Sequence, residues 1–286
     1  MKEFWPHASH SQFITVGPQR WHIQQMGTGP DLLLIHGAGG ATQSWRRLMP
    51  VLAQTHRCTA MDLPGQGFSG RPHPANCGVD AMAHWIAGLV DHLHLSPQAI
   101  VAHSAGGAIA LRMAERHHGG PPIVAINAAL SKFDGIAGWA FPLTAKLLAA
   151  APFSAHIFAA GAGNRKNVER LLTNTGSAFD ETSIALYSHL ARDPHHVGGT
   201  LRMMADWALD GLITRLPQNP ARVQFIVGGK DTTVPPDVSR HAAARMAQAR
   251  VLEHPNLGHL AHEEAPDDIA GAIYQALDYL TDTPAK

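Results

Sequence analysis

The chain has 286 residues, 22 basic and 22 acidic side chains, a formal net charge of zero and 45% hydrophobic residues. That is ample material for one large buried core, and the balanced charge excludes the basic stripe of a nucleic-acid binder. The opening MKEFWPHASHSQF has no apolar stretch long enough for a signal peptide, and the two cysteines, Cys58 in a strand pattern and Cys77 in a loop pattern, do not form a disulfide framework, so cytoplasm is the expected compartment.

FITV and RWHIQQM, separated by Gly17 and Pro18, read as an opening hairpin. Apolar strands follow at 31–36, 57–62, 98–103 and 122–127, with helical patterns at 42–54, 78–95 and 104–118 between them. This βαβ alternation predicts a mainly parallel central sheet with helices on both faces. From about Ser131 to Arg215 the alternation stops, and Ala-, Leu-, Phe- and Met-rich helical segments are interrupted by Pro142, Pro152 and Pro194. Strands return at 223–229 and near 250–254, ahead of a last helix. The expected organisation is therefore a core over 1–130, a helical insertion over 131–215 and the rest of the core over 216–286.

The motif that carries chemistry is VAHSAGG at 101–107, where a β-branched run ends in Ser104 and small residues follow. A strand turning sharply into a helix there would expose one hydroxyl above the sheet. The usual pattern is G-x-S-x-G, with Ala102 replacing the first glycine here; Ala105, Gly106 and Gly107 let the next helix pass close to neighbouring strands. A serine hydroxyl needs a base, and the base needs an anionic partner that fixes its tautomer. Asp231 lies in the loop GGKDTTVPP after the strand at 223–229, and His259 lies in NLGHLAHEE before the last helix. An acid after the preceding strand is the alternative, where Asn127 is neutral and Asp134 follows; Asp62, in MDLPGQGFS, reads as a loop organiser.

An oxyanion formed at a substrate carbonyl needs donors held ready for it. DLLLIHGAGG runs a buried strand into His36, Gly37, Ala38, Gly39 and Gly40, and the backbone N–H groups of Ala38 and Ala105 are the expected pair. The bland reading is a Gly-rich βα turn; no GxGxxG or P-loop pattern is present, so no nucleotide or other cofactor is expected.

Within the insertion, Trp139, Phe141, Met203, Met204 and Trp207 are candidate linings of an apolar substrate pocket, with Phe153 and Phe158 beside them. Roughly half of these should instead pack the insertion's own core. Leu147–Gly163 lacks charged side chains but is broken by Pro152, which argues against a spanning helix and leaves peripheral membrane contact open. The twenty histidines form no HExxH or cysteine-supported cluster, so no metal is expected and they read as solvated surface groups.

HGAGG with Trp45, MDLPGQGFS, VAHSAGG, GGKDTTVP and NLGHLAHEE together resemble the α/β-hydrolase superfamily along nearly the whole chain. The resemblance implies the chain order nucleophile, acid, histidine, here Ser104, Asp231 and His259, and a helical cap over the site. Serine at the elbow sets the chain apart from haloalkane dehalogenases, which need a carboxylate there. INAAL at 126–130, LLTNTGS at 171–177 and HVGGTLRMMADWAL at 196–209 look like the magnesium-chelatase accessory proteins of bacteriochlorophyll biosynthesis within that superfamily. Two functions are then expected in competition: a serine hydrolase acting on an ester or related carbonyl, or a non-hydrolytic tetrapyrrole-binding accessory protein assisting magnesium insertion. The implied partners are a small apolar substrate, with a tetrapyrrole as the candidate, and magnesium-chelatase subunits.

Overall fold

The computed structural model describes residues 4–71, 76–116, 120–131, 155, 156, 159, 161 and 163–282. Its strands are β1 (Ser11–Val16), β2 (Gln19–Met26), β3 (Asp31–Ile35), β4 (Arg57–Met61), β5 (Pro97–His103), β6 (Ile123–Ile126), β7 (Val223–Gly228) and β8 (Ala249–His254). They form one eight-stranded sheet ordered β1-β2-β4-β3-β5-β6-β7-β8. β2 runs antiparallel to both β1 and β4, and the remaining pairings are parallel. The opening hairpin and each expected strand fall in this sheet.

Side chains alternate across each strand and supply two cores. Leu33, Ile35, Ile100, Ala102, Ile123 and Ala125 face one side, against α2 (Val79–His92), α3 (Ala105–Arg116) and α8 (Pro236–Arg245). Leu32, Leu34, Ala99, Val101, Val124 and Ile126 face the other, against α1 (Met49–Leu52) and α10 (Pro266–Asp282). The continuous apolar runs follow from this, because a parallel strand covered on both faces has no polar side.

The single helix expected over 42–54 is instead a 3₁₀ turn at Thr42–Trp45 followed by the four-residue α1. Pro50 sits in the first turn of α1, where its missing N–H costs nothing; inside a longer helix it would break the ladder.

Between β6 and β7 the described residues in regular structure are helical: α4 (Arg165–Thr173), α5 (Glu181–Ala191), α6 (Pro194–Ala205) and α7 (Asp210–Thr214). The Asn164, Asp180 and Asp193 side chains cap α4, α5 and α6 by accepting backbone N–H groups. Helix α9 (Ala261–Glu264) is a single turn after β8, just beyond His259.

Candidate active site

β5 ends at His103, and the chain turns at once into α3, leaving Ser104 between them with φ of 51°. A left-handed conformation is costly for a residue with a Cβ, by about 1–2 kcal/mol, and tends to persist where function uses it. The turn is held by Ser104 N–H donating to Ile126 O at 2.9 Å and by Gly107 N–H donating to Ser104 O at 3.0 Å. Gly106 is needed where α3 crosses the sheet, since a Cβ there would lie 2.3 Å from Ile35 O.

Ser104 Oγ lies 3.1 Å from His259 Nε2, and His259 Nδ1 lies 2.7 Å from Asp231 Oδ2. The carboxylate accepts from Nδ1–H, so Nε2 carries the lone pair that faces the hydroxyl. Asp231 is itself fixed, its Oδ1 accepting the N–H groups of Thr233 and Val234 at 2.8 Å each. Ser104 is half-buried, while Asp231 and His259 are buried. Three groups, with Ser104 over a hundred residues from the other two, thus form one hydrogen-bonded chain, the arrangement by which an imidazole can take a proton from an alcohol.

In the loop after β3, Gly40 N–H donates to Gly37 O and Gly39 N–H donates to Gln66 Oε1 at 2.8 Å. Both amides are thereby engaged within the protein, and Ala38 beside them is exposed. Ala105 opens α3, where backbone N–H groups and the helix dipole favour negative charge.

Of the expected pocket residues, Trp139 and Phe141 lie outside the described residues. Met203 on α6 is 1% exposed and belongs to the main core, with its sulfur 3.0 Å from Gln66 Nε2. Trp207 is half-buried against the same core, and Met204 is half-buried on α6.

The expectation of solvated histidines is corrected at several positions. His22, His36, His103, His196 and His262 are buried. Each is hydrogen-bonded, because an imidazole offers one donor and one acceptor on a compact ring and so can plug a polar loop. His36 Nε2 accepts Leu63 N–H at 2.9 Å, His196 Nδ1 accepts Gly67 N–H at 2.9 Å, and His22 Nδ1 donates to Asp62 at 2.7 Å. Burial lowers the pKa of His36, that of His196 to about 4 and that of His262 to about 3; for His103 it does so well below the usual histidine range. Asp62 also accepts the N–H groups of Thr42 and Phe68 and so organises its loop as expected; burial works against its charge, but His22 holds its pKa below the ordinary value. Among the described residues no group of three His, Cys, Asp or Glu side chains is placed to hold a metal ion, and no helix is long and apolar enough to cross a membrane.

Sequence reasoning missed the residues that hold the histidine loop. His259 N–H donates to Thr175 O at 3.0 Å, and Leu260 N–H donates to Ser177 Oγ at 2.8 Å, so LLTNTGS threads beside it. His103 Nε2–H and Asn127 Nδ2–H both donate to His259 O, each at 2.9 Å. Glu263 is buried in a network with Ser44, Arg46 and Tyr187. Only the TGS turn carried a local signal, in its turn-forming residues.

A family model described as alpha/beta hydrolase fold matches residues 30–266. The magnesium-chelatase 30 kDa subunit of Rhodobacter capsulatus is 41% identical over 278 residues, 96% of each chain. Haloalkane dehalogenase 2 of Mycobacterium tuberculosis is 29% identical over 272 residues, 90% of this chain and 91% of that one. An alpha/beta hydrolase fold protein from Burkholderia ambifaria, 22% identical, superposes with a TM-score of 0.75 over 93% of this chain and all of its own. The sheet order, the strand-to-helix turn at Ser104 and these similarities lead to one conclusion: the chain belongs to the α/β-hydrolase family and, within it, to the group that includes the magnesium-chelatase 30 kDa subunit.

Proposed function

We propose that this protein is a serine hydrolase acting on an ester or related carbonyl of a small apolar substrate. The observation that carries the reading is the continuous path from Ser104 Oγ through His259 to Asp231, with contacts of 3.1 and 2.7 Å. Ser104 Oγ attacks the carbonyl carbon while His259 Nε2 takes its proton. The resulting oxyanion is met by the N–H groups of Ala38 and Ala105, and His259 returns the proton to the leaving oxygen. Water then repeats the cycle on the acyl-enzyme. Asp231 keeps His259 in the required tautomer and stabilises its charged form. The described helices α4, α5 and α6 act as a cap, and Met204 and Trp207 contribute to the substrate side of it.

The similarity to a protein named as a magnesium-chelatase subunit supports magnesium-chelatase subunits as partners and, with them, a tetrapyrrole as the substrate. The same similarity favours a second reading, in which the protein binds a tetrapyrrole during magnesium insertion and hydrolyses nothing.

A fluorophosphonate probe separates the two. Ser104 is expected to be labelled in the purified protein, and Ser104→Ala to fold normally yet lose ester turnover by a factor on the order of a million, since members of such a chain act as a unit. A protein whose Ser104 stays unmodified, or an alanine variant with full turnover, overturns the hydrolase reading. Titration with magnesium protoporphyrin tests the pigment: a Soret shift that Trp207→Ala weakens supports it, and no shift refutes it.

A further inference from the structure

One face of α6 lies along the Gly65–Gly67 turn, and that turn in turn lies under the oxyanion loop. The contacts come from residues 196, 199, 200 and 203, the spacing of a single helical stripe. His196 Nδ1 accepts Gly67 N–H at 2.9 Å. Gly199 packs so closely on Gly65 that a Cβ would lie 1.8 Å from its carbonyl oxygen. The Thr200 methyl approaches within 3.7 Å of where a Cβ on Gly39 would stand. The Met203 sulfur accepts from Gln66 Nε2 at 3.0 Å. Gln66 is fully buried, and the other end of its amide, Oε1, accepts Gly39 N–H at 2.8 Å.

From this arrangement we infer that Gln66 is a positioning residue that couples helix α6 to the oxyanion loop. Its amide is satisfied on both sides by groups that belong to different parts of the fold, the insertion helix and the loop after β3. With Gly39 N–H held by Gln66 and Gly40 N–H by Gly37 O, the peptide between Gly37 and Ala38 has its direction set from the far side. A ligand that shifts α6 moves Met203, then Gln66, then the loop that presents Ala38. The chemical class that could use this coupling is a substrate bulky enough to bear on α6 while its carbonyl sits at Ser104. The inference rests on the oxyanion role of Ala38 proposed above.

The test compares Gln66→Met, which keeps the volume and loses the acceptor, with Gln66→Glu, which keeps an oxygen facing Gly39 N–H. The probes are the rate constant for Ser104 labelling by a fluorophosphonate, kcat and KM on a simple acyl ester, and amide hydrogen exchange over residues 36–41. Gln66→Met is expected to lower the labelling rate constant and kcat about tenfold or more, as a slightly misplaced donor does. KM should stay within about twofold, a pattern expected when an interaction made in the transition state is lost. Exchange over 36–41 should rise most in Gln66→Met, which loses the acceptor for Gly39 N–H, and less in Gln66→Glu and Met203→Leu, which both lose only the contact between residues 66 and 203.

If Gln66→Met labels, turns over and exchanges like the parent protein, or if Gln66→Glu is as impaired as Gln66→Met, the coupling is refuted. A parent protein that is never labelled overturns the hydrolase reading alone, because the exchange comparison still decides whether Gln66 and α6 hold the loop. Where Gln66→Met proves unstable, Met203→Leu, a volume-conserving change, carries the exchange test.

Discussion

Asn127 Nδ2 donates to the carbonyl oxygen of His259 at 2.9 Å, from a backbone held in the left-handed region at φ of 46°. The same amide donates to Gly258 O at 3.0 Å and, through Oδ1, accepts Gly228 N–H at 2.8 Å. One neutral side chain at the end of β6 therefore ties the strand that leads to Asp231 to the loop that carries His259. The alternative acid was expected after this strand, and Asp134 lies outside the described residues; the surroundings of Asn127 explain why an amide serves at the strand's end, since a carboxylate would face two carbonyl oxygens. Asn127→Asp is expected to cost about 2–4 kcal/mol of stability at neutral pH, since two buried acceptors lose their donor and a charge replaces it. It should also slow Ser104 labelling. Urea unfolding at pH 7 and pH 5 checks the reasoning, with a smaller loss at the lower pH where the new acid regains a proton; equal stability to the parent would refute it.

The TGS turn makes a second prediction. Gly176 has φ of 77°, and a Cβ there would lie 1.9 Å from Lys230 O, beside the loop bearing Asp231. On one flank Thr175 O receives His259 N–H, and on the other Ser177 Oγ receives Leu260 N–H. Gly176→Ala is thus expected to impose about 1–2 kcal/mol of backbone strain and, in addition, to displace the acid loop from the histidine. Ser177→Ala removes one hydrogen bond, about 1 kcal/mol, and leaves the acid loop in place. Thermal midpoints and fluorophosphonate labelling rates should separate the two, with labelling falling far more in Gly176→Ala than its loss of stability alone explains.

What could be read along the chain and what could not divide by range. Ser104, Asp231 and His259 were legible because each follows a short apolar strand and sits among turn-forming residues, a signal contained within about ten positions. The central strands β3 to β7 were legible because burial on both faces makes them continuous apolar runs. The helix expected over 42–54 failed at Pro50, where a local breaker outweighed the apolar pattern around it. Asn127, Gln66 and Glu263 were not legible: their partners lie at His259, Gly39 and Ser44, so their roles exist only once the sheet has brought distant loops together. Histidine misled for the same reason. His36 and His196 look polar in sequence, yet each fills a backbone-lined hole whose N–H donor comes from Leu63 or Gly67.

Arg46 and Glu263 supply a third prediction. Glu263 is 3% exposed; Oε1 accepts from Ser44 Oγ–H and Tyr187 O–H at 2.6 Å each, and Oε2 accepts from Arg46 at 2.9 Å. Arg46 also reaches Asp180 and Ser183, at the start of α5, at 2.7 and 2.8 Å. The network docks α5 onto the core four residues beyond His259. Burial raises the Glu263 pKa, and its three partners only partly restore the charged form. Arg46→Met would strand a buried carboxylate and is expected to cost about 3–5 kcal/mol, whereas Arg46→Met combined with Glu263→Leu should recover most of that loss. Guanidinium unfolding of the single and double variants measures the difference, and additive losses would show that the two side chains act independently.

The buried imidazoles set the acid limit of the fold. His36, His103, His196 and His262 all have folded-state pKa values below the ordinary histidine value, near 4 for His196 and near 3 for His262, with burial the leading cause. Below pH about 6.5 the unfolded chain takes up protons at these sites while the folded chain does not. Stability is therefore full above that pH and is lost as pH falls toward the folded values, each group contributing up to about 1.4 kcal/mol per pH unit. Glu263 acts in the opposite sense above the ordinary carboxyl value of 4.5, because its raised pKa lets the folded state hold the extra proton. Asp62, lowered from 3.8, adds to acid destabilisation only below that value. Unfolding free energy measured between pH 7 and pH 5 should thus fall steeply, with a slope of more than one proton. His262→Gln, whose amide can still donate to Ser44 Oγ as His262 Nε2–H does at 3.1 Å, is expected to reduce that slope by nearly one proton. A parent protein equally stable at pH 5 and pH 7, or a variant with an unchanged slope, would contradict the assignment of these rings as neutral packing elements.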